Sequence, residues 1–219
     1  MPKLIWDQVG ERTYETGVDH GVLYVQKDGK YPKGVAWNGI ISVSMNPSGA
    51  EDNKLYADNI PYLNIKSAEE LGVSLECYTT PDEWAECDGT AEIAKGIRVG
   101  QQRRSNFGLS YRTKIGNDTD GEDHGYKLHI VYNCSASPSE RSYQTVNDSP
   151  EAITFSYDIS TTPVPFEGYK PTASLEIDST TIEPEKLAAL EKILYGDNEE
   201  GEARLPLPDE LVSILEIGA

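Results

Sequence analysis

Apolar and polar residues alternate with a period of two along most of this chain, the mark of strands with one buried face. Over residues 71–79, Val73, Leu75 and Cys77 alternate with Ser74, Glu76 and Tyr78. Over 106–115, Phe107, Leu109 and Tyr111 oppose Ser110, Arg112 and Lys114. Over 126–134, Leu128, Ile130, Tyr132 and Cys134 oppose Lys127, His129 and Asn133, which puts His129 on the polar face. Over 153–159, Ile153, Phe155, Tyr157 and Ile159 oppose Thr154, Ser156 and Asp158. Shorter runs predict strands at 21–26, 34–44, 62–66 and 173–178, with Lys27-Asp28-Gly29-Lys30 as a hairpin turn between the first two.

The period lengthens to that of a helix after residue 183. Leu187, Leu190, Ile193 and Leu194 recur at helical spacing, Pro184 suits the first turn, and Gly196 supplies a stop. An acidic linker over 197–203 precedes a second short helix at about 209–216. A brief helix is predicted at 81–86, with Thr80 as cap, Pro81 at the first helical position and acids in the first turn. Residues 45–59 are rich in Asn, Pro, Ser, Gly and Asp and read as a protruding loop that carries Leu55 and Tyr56. Residues 88–104 read as irregular and 117–125 as a hairpin loop. The expected organisation is an N-terminal arm over 1–20, a β domain over 21–182 and a helical C-terminal extension over 183–219.

Composition narrows the function. A net charge of -18 on 219 residues, without a basic segment, argues against gripping nucleic acid. It suits solubility at high concentration, or a surface that another polyanion passes without sticking. Cys77, Cys87 and Cys134 are odd in number and lack CxxC spacing, so buried free thiols are expected in place of a disulfide framework or a zinc site. Residues 1–17 carry charges throughout, which predicts no signal peptide, and no run approaches the ~20 apolar residues of a membrane span. The segment NDTDGEDHG (117–125) fails as an EF-hand: counted from Asp118, the position that needs Gly is Asp123 and the one that needs an acid is His129. His20, His124 and His129 stand outside any catalytic or metal signature, and His129 reads as a surface or subunit-contact residue. No catalytic residue, metal or cofactor is predicted. The 13 Tyr against 3 Phe and 3 Trp favour half-buried strands and polar interfaces.

Several stretches together resemble the major tail tube proteins of long-tailed, non-contractile bacteriophages. They are LIWDQVGERTYETGVDHGVLYVQ (4–26), LYADNIPYLN (55–64), ECYTTPDEWAECDG (76–89), FGLSYRTKIGND (107–118), GYKLHIVYNCSASPSE (125–140), VNDSPEAITFSYDISTTPV (146–164) and PEKLAALEKILYG (184–196). The likeness runs through nearly the whole chain in order and rests on extent, since none of these is a catalytic motif. It implies a tail-tube β-sandwich of two packed, mostly antiparallel sheets with a flanking short helix, whose inner strands close a barrel in a hexamer. It further implies rings stacked around a tape-measure protein, bounded by a tail terminator and by baseplate or distal tail proteins. Double-stranded DNA then passes through the lumen without specific binding. The expected location is the virion tail, after synthesis in the bacterial cytoplasm, with no membrane insertion. By this resemblance the N-terminal arm and the 45–59 loop are ring contacts, with Leu4, Trp6, Pro47, Leu55, Tyr56 and Asp58 as candidates. The helical tail packs on a neighbour or on the outer wall. Glu76, Asp158 and Glu176, being borne on strands, are the candidate acids for the lumen.

Two other classes compete. A monomeric β-sandwich binding module would stack sugars on exposed aromatics, but Trp6, Trp37 and Trp84 are scattered in sequence. A hydrolase working through a carboxylate pair lacks any activating motif. Concentration-dependent assembly separates the tube from both.

Overall fold

A computed structural model describes residues 3–146, 148, 151–197 and 201–215. They form a mainly β structure with twelve strands and three helices. The strands are β1 (Tyr14–Val25), β2 (Gly34–Ala36), β3 (Ile40–Gly49), β4 (Asp52–Ala57), β5 (Ile60–Lys66) and β6 (Glu69–Cys77), then β7 (Ala91–Ala94), β8 (Ile97–Val99), β9 (Phe107–Asn117), β10 (Gly121–Ala136), β11 (Phe155–Thr161) and β12 (Ser174–Asp178). The helices are α1 (Trp84–Asp88), α2 (Pro184–Tyr195) and α3 (Pro208–Leu215). None is long and apolar enough to cross a membrane, among the described residues.

Eight strands join in one antiparallel sheet along the path β2-β1-β9-β10-β11-β6-β3, with β12 also on β10. The path folds over at β10. This strand pairs with β9 and β12 through most of its length and meets β11 only at Cys134, Ser135 and Ala136. The fold-over makes two layers. One is β2-β1-β9-β10-β12; the other is β11-β6-β3.

Between them lies a first core. Leu23, Phe107, Leu109, Tyr111 and Val131 of one layer meet Val73, Leu75, Cys77, Tyr157 and Ile159 of the other. Its centre is Trp84 of α1, with ring centroids 4.7 Å from Trp37, 5.1 Å from Phe107 and 4.9 Å from Tyr157. The outer face of the first layer carries a second core. Val22, Tyr24, Leu128, Ile130 and Tyr132 are covered there by Leu187, Leu190 and Leu194 of α2 and by Leu211 and Leu215 of α3. Two tyrosines fasten this cover: Tyr24 donates to the Leu194 carbonyl at 2.8 Å and Tyr132 to the Pro206 carbonyl at 3.0 Å. The helical tail therefore lies on its own sheet. The positions of the 197–203 linker that fall at 198–200, and the end of the second predicted helix at 216, lie outside the described residues.

Several expectations need correction. Cys134 does not share the face of Leu128, Ile130 and Tyr132. A register shift between Val131 and Cys134, with Asn133 at φ 48, inserts an extra residue, so Val131 and Cys134 both face the first core. The first strand starts at Tyr14, inside the predicted arm, because residues 14–16 pair with β9. The 34–44 run is divided into β2 and β3 by a turn at Asn38-Gly39, with Gly39 at φ 77. The short helix starts at Trp84, three residues late. Pro81 and Asp82 instead accept from Trp84 and Ala85 in tight turns, and Glu83 provides no side-chain cap. Residues 88–104 contain the β7–β8 hairpin, and strand pairing resumes at Gly121 inside the predicted 117–125 loop.

The largest correction concerns 45–59, which is strand, not loop. β3 runs through Met45–Gly49 against β6, and β4 pairs with β5 from Asp52↔Lys66 to Ala57↔Ile60. Asp58 and Asn59, at φ 52 and 62, make a two-residue turn of the kind that matches strand twist. Local composition resembled a loop because polar residues crowd a ribbon with no buried face.

Candidate assembly surfaces

The outer face of the β11-β6-β3 layer is set by register. Ser42, Glu76 and Ser156 form one cross-strand row; Ser44, Ser74 and Asp158 the next; Asn46, Gly72 and Ser160 a third; and Ser48 and Glu70 extend it. Alternation sends Val73, Leu75, Tyr157 and Ile159 inward and leaves these residues outward. Every residue in these rows is hydroxyl, amide, glycine or carboxylate. The surface is a polar, cation-free sheet face carrying Glu70, Glu76 and Asp158. Its groups bond to one another: Asn46 Nδ2 donates to Ser74 Oγ at 3.0 Å, Ser74 Oγ to Asp158 Oδ1 at 3.1 Å, and Ser42 Oγ to Glu76 Oε2 at 3.3 Å.

Glu76 and Asp158 thus share one face, and Glu176 stands apart from both. It is on β12 in the other layer, bound to Lys127 Nζ at 3.0 Å; Lys127 also pairs with Glu15. Beside it, His129 is buried, which corrects its expected surface position. Its ring stacks on Tyr111 at 4.8 Å, Thr113 Oγ1 is 2.9 Å from Nε2, and Glu176 is 3.7 Å from Nδ1. The polar side of β10 faces the inter-layer core, so alternation alone put His129 on the wrong side of the water boundary. Burial holds its pKa below the usual histidine value, against the pull of Glu176 and Glu15.

The second feature is the ribbon that continues β3 and β6 away from the body. It departs at Gly49, whose φ is 82 and where a Cβ would lie 2.3 Å from the Ala68 carbonyl oxygen, so only glycine fits. Six-residue β4 gives the ribbon a reach of about 20 Å. All of β4 and β5 is exposed. Leu55 pairs with Leu63, and Ile65 follows Leu63 on the same face by alternation. These three residues remain 44%, 50% and 48% exposed, with Tyr56, Ile60 and Tyr62 also uncovered. Of the candidate contact residues, Leu55, Tyr56 and Asp58 belong to this one hairpin, and Pro47 lies just before it. Pro47 lies on β3, a sheet edge where a missing N–H breaks no ladder bond on the open side.

Leu4 and Trp6 belong to another segment, and both are exposed with Ile5 and Val9. The base of this segment is fixed: the Gly10 N–H donates to Asp118 Oδ1 at 2.8 Å, Asn117 Nδ2 donates to the Gly10 carbonyl at 3.3 Å, and Arg12 pairs with Asp118 at 3.8 Å. Trp37 and Trp84 are buried together, so Trp6 is the tryptophan available to a partner.

Sequence reading missed Glu70, the serine rows, and Ile60, Leu63 and Ile65. The signal for the ribbon was present: Asp-Asn between two short apolar-bearing runs is a hairpin turn. The β7–β8 hairpin is a parallel case, with Lys95-Gly96 as its turn and Ile93 and Ile97 exposed.

Cys77, Cys87 and Cys134 are buried and free, and burial pushes the first two thiols up to about 11 and about 12, so they stay protonated. Among the described residues no group of three or more His, Cys, Asp or Glu could hold a metal ion. Arg112, from β9, binds Asp19 at 3.1 Å and Glu191 of α2 at 3.5 Å and lies 4.5 Å from the Tyr126 ring, clamping helix to sheet. No protein-family model matches the chain, and no curated protein matches it.

Proposed function

We propose that this chain is a structural subunit of a bacteriophage tail tube, assembling as hexameric rings that stack into a conduit for double-stranded DNA. The observation that carries the proposal is an apolar-bearing ribbon, β4–β5, exposed along its whole length. A two-stranded ribbon with three uncovered aliphatic side chains on one face is marginal in water and calls for a partner. A second copy of the chain, which a phage tail supplies at high local concentration, meets that need.

The cation-free face suits the inner wall. Three carboxylates from each of six subunits, on a bed of serine, would ring the lumen with negative potential and leave DNA phosphates no counter-charge. Closing the free β3 edge against a neighbouring subunit would bury an otherwise open ladder. Rings stacked head to tail continue until something stops them, so a tape-measure protein and terminator fit as length-setting partners, with baseplate or distal tail proteins to start assembly. At -18 per chain, a hexameric ring carries -108, so assembly should strengthen as salt screens the repulsion.

The test is negative-stain electron microscopy of concentrated protein across a salt series, with and without a tail-initiation complex. Hollow rings or striated tubes support the reading. Dispersed monomers under all of these conditions would sink it and favour a monomeric β-sandwich binding module.

A further inference from the structure

The sequence holds one Asn-Gly dipeptide, Asn38-Gly39, and the fold puts it in the exposed turn between β2 and β3. The turn is held from both sides. Trp37 donates its main-chain N–H to the Gly21 carbonyl at 2.8 Å and its indole N–H to the Thr79 carbonyl at 2.9 Å. The Tyr78 N–H donates to the Gly39 carbonyl at 2.8 Å, and Thr79 Oγ1 donates to the Asn38 carbonyl at 2.8 Å. Two groups stay uncommitted: the Asn38 carboxamide and the Gly39 N–H have no hydrogen-bond partner among the described residues. Glycine at 39 is fixed by the fold, since its φ is 77 and a Cβ there would lie 3.1 Å from Thr79 Oγ1.

These are the parts of an intramolecular acyl transfer. No side chain at 39 obstructs the approach of the Gly39 nitrogen to the Asn38 side-chain carbonyl carbon, and one turn holds both, so no diffusional step is needed. Before attack the Gly39 nitrogen gives up its proton, and the negative charge spreads onto the Asn38 main-chain carbonyl oxygen. Thr79 donates to that oxygen, so its hydroxyl sits where charge develops. Every other asparagine precedes a residue that carries a side chain, and Asn46 precedes Pro47, which has no N–H to attack with. The side chains of Asn46, Asn106 and Asn117 are also committed to hydrogen bonds, with Ser74, Asn133 and Asp120.

We infer that Asn38-Gly39 is a self-modification site of this chain, where the Asn38 side chain deamidates through a cyclic imide with Thr79 promoting the step. The bond from the Gly39 nitrogen to Asn38 Cγ forms, the Cγ–Nδ2 bond breaks, and ammonia leaves with the proton taken from Gly39. Water then opens the imide, adding OH to carbon and H to nitrogen, and nothing is oxidised or reduced. Opening at the side-chain carbonyl gives aspartate, and opening at the main-chain carbonyl gives isoaspartate. Either product adds one negative charge. Isoaspartate also lengthens the backbone by one carbon between the buried Trp37 and Ile40, at the start of β3. The chemistry needs only water and does not depend on assembly.

Peptide mapping of the full, folded chain tests this. After incubation in mildly alkaline buffer, the tryptic peptide of residues 34–54 should appear one mass unit heavier, in two chromatographic forms, with the change at residue 38. Asn38→Gln, whose longer side chain has to close a larger ring, should remove the conversion. Thr79→Val should slow it at least threefold, whereas Thr79→Ser, which keeps the hydroxyl, should hold the parent rate. Conversion seen only after the chain is unfolded in urea would overturn the inference, by showing that the fold protects the turn. Modification at another asparagine with residue 38 intact would overturn the site, and equal rates in the parent and Thr79→Val would overturn the part assigned to Thr79.

Discussion

At the scale of single residues, the functional distinction is between charges that are answered and charges that are not. Glu176 is met by Lys127, whereas Glu76 and Asp158 accept from serine hydroxyls. Because Glu76 and Asp158 are exposed, replacing both with Lys should leave unfolding free energy within about 0.5 kcal/mol of the parent. The same change should make assembled tubes retain short duplex DNA at low salt, seen by co-sedimentation, and release it as salt rises. His129 gives a second prediction. Its folded pKa lies below the unfolded value of about 6.5, so its contribution to stability is complete above that pH and is lost as pH falls through the folded pKa. Urea midpoints of the parent should therefore drop more steeply from pH 7 to 5 than those of His129→Gln. Equal slopes would assign the acid sensitivity to other groups. Trp84, at the centre of the aromatic cluster, should cost about 3–5 kcal/mol when cut to Ala, measured by the same titration.

At the scale of elements, the β4–β5 ribbon separates assembly from folding. Leu55→Ser with Leu63→Ser removes apolar surface that touches no core, so the melting temperature should hold while ring or tube formation falls sharply in light scattering. In contrast, Leu190→Ala strikes the cover of the outer core and should cost about 2–5 kcal/mol. The sequence made the body strands legible because one face of each is buried: Tyr157 and Ile159 against Ser156 and Asp158 is the cleanest case. The ribbon was only half legible, for the complementary reason: the 62–66 run marked β5, whereas β4, with no buried face and no strong alternation, read as loop. Cys134 and His129 were misplaced for a third reason. A bulge resets the face count without a marker in composition, and a polar residue facing an inter-layer core looks like one facing water. The contact candidates Leu55 and Tyr56 were visible as apolar residues in a polar stretch, whereas their partners across the turn needed the pairing itself.

At the scale of the whole molecule, a well-packed two-layer body with helices fastened to one face carries extensions that its own chain does not cover. The body explains stability, and on the proposed reading the uncovered ribbon, N-terminal segment and open sheet edge are what assembly would cover. The acidic total adds repulsion between copies, which makes assembly a balance of apolar contact against charge and hence sensitive to ionic strength. The most direct test is a cryo-electron-microscopy reconstruction of the assembled chain, asking which surface lines the central channel. The account predicts a hollow, ring-stacked tube whose inner wall is the β3-β6-β11 face, with Glu70, Glu76 and Asp158 toward the axis. A channel lined by the α2–α3 side, or a compact particle with no channel, would contradict it.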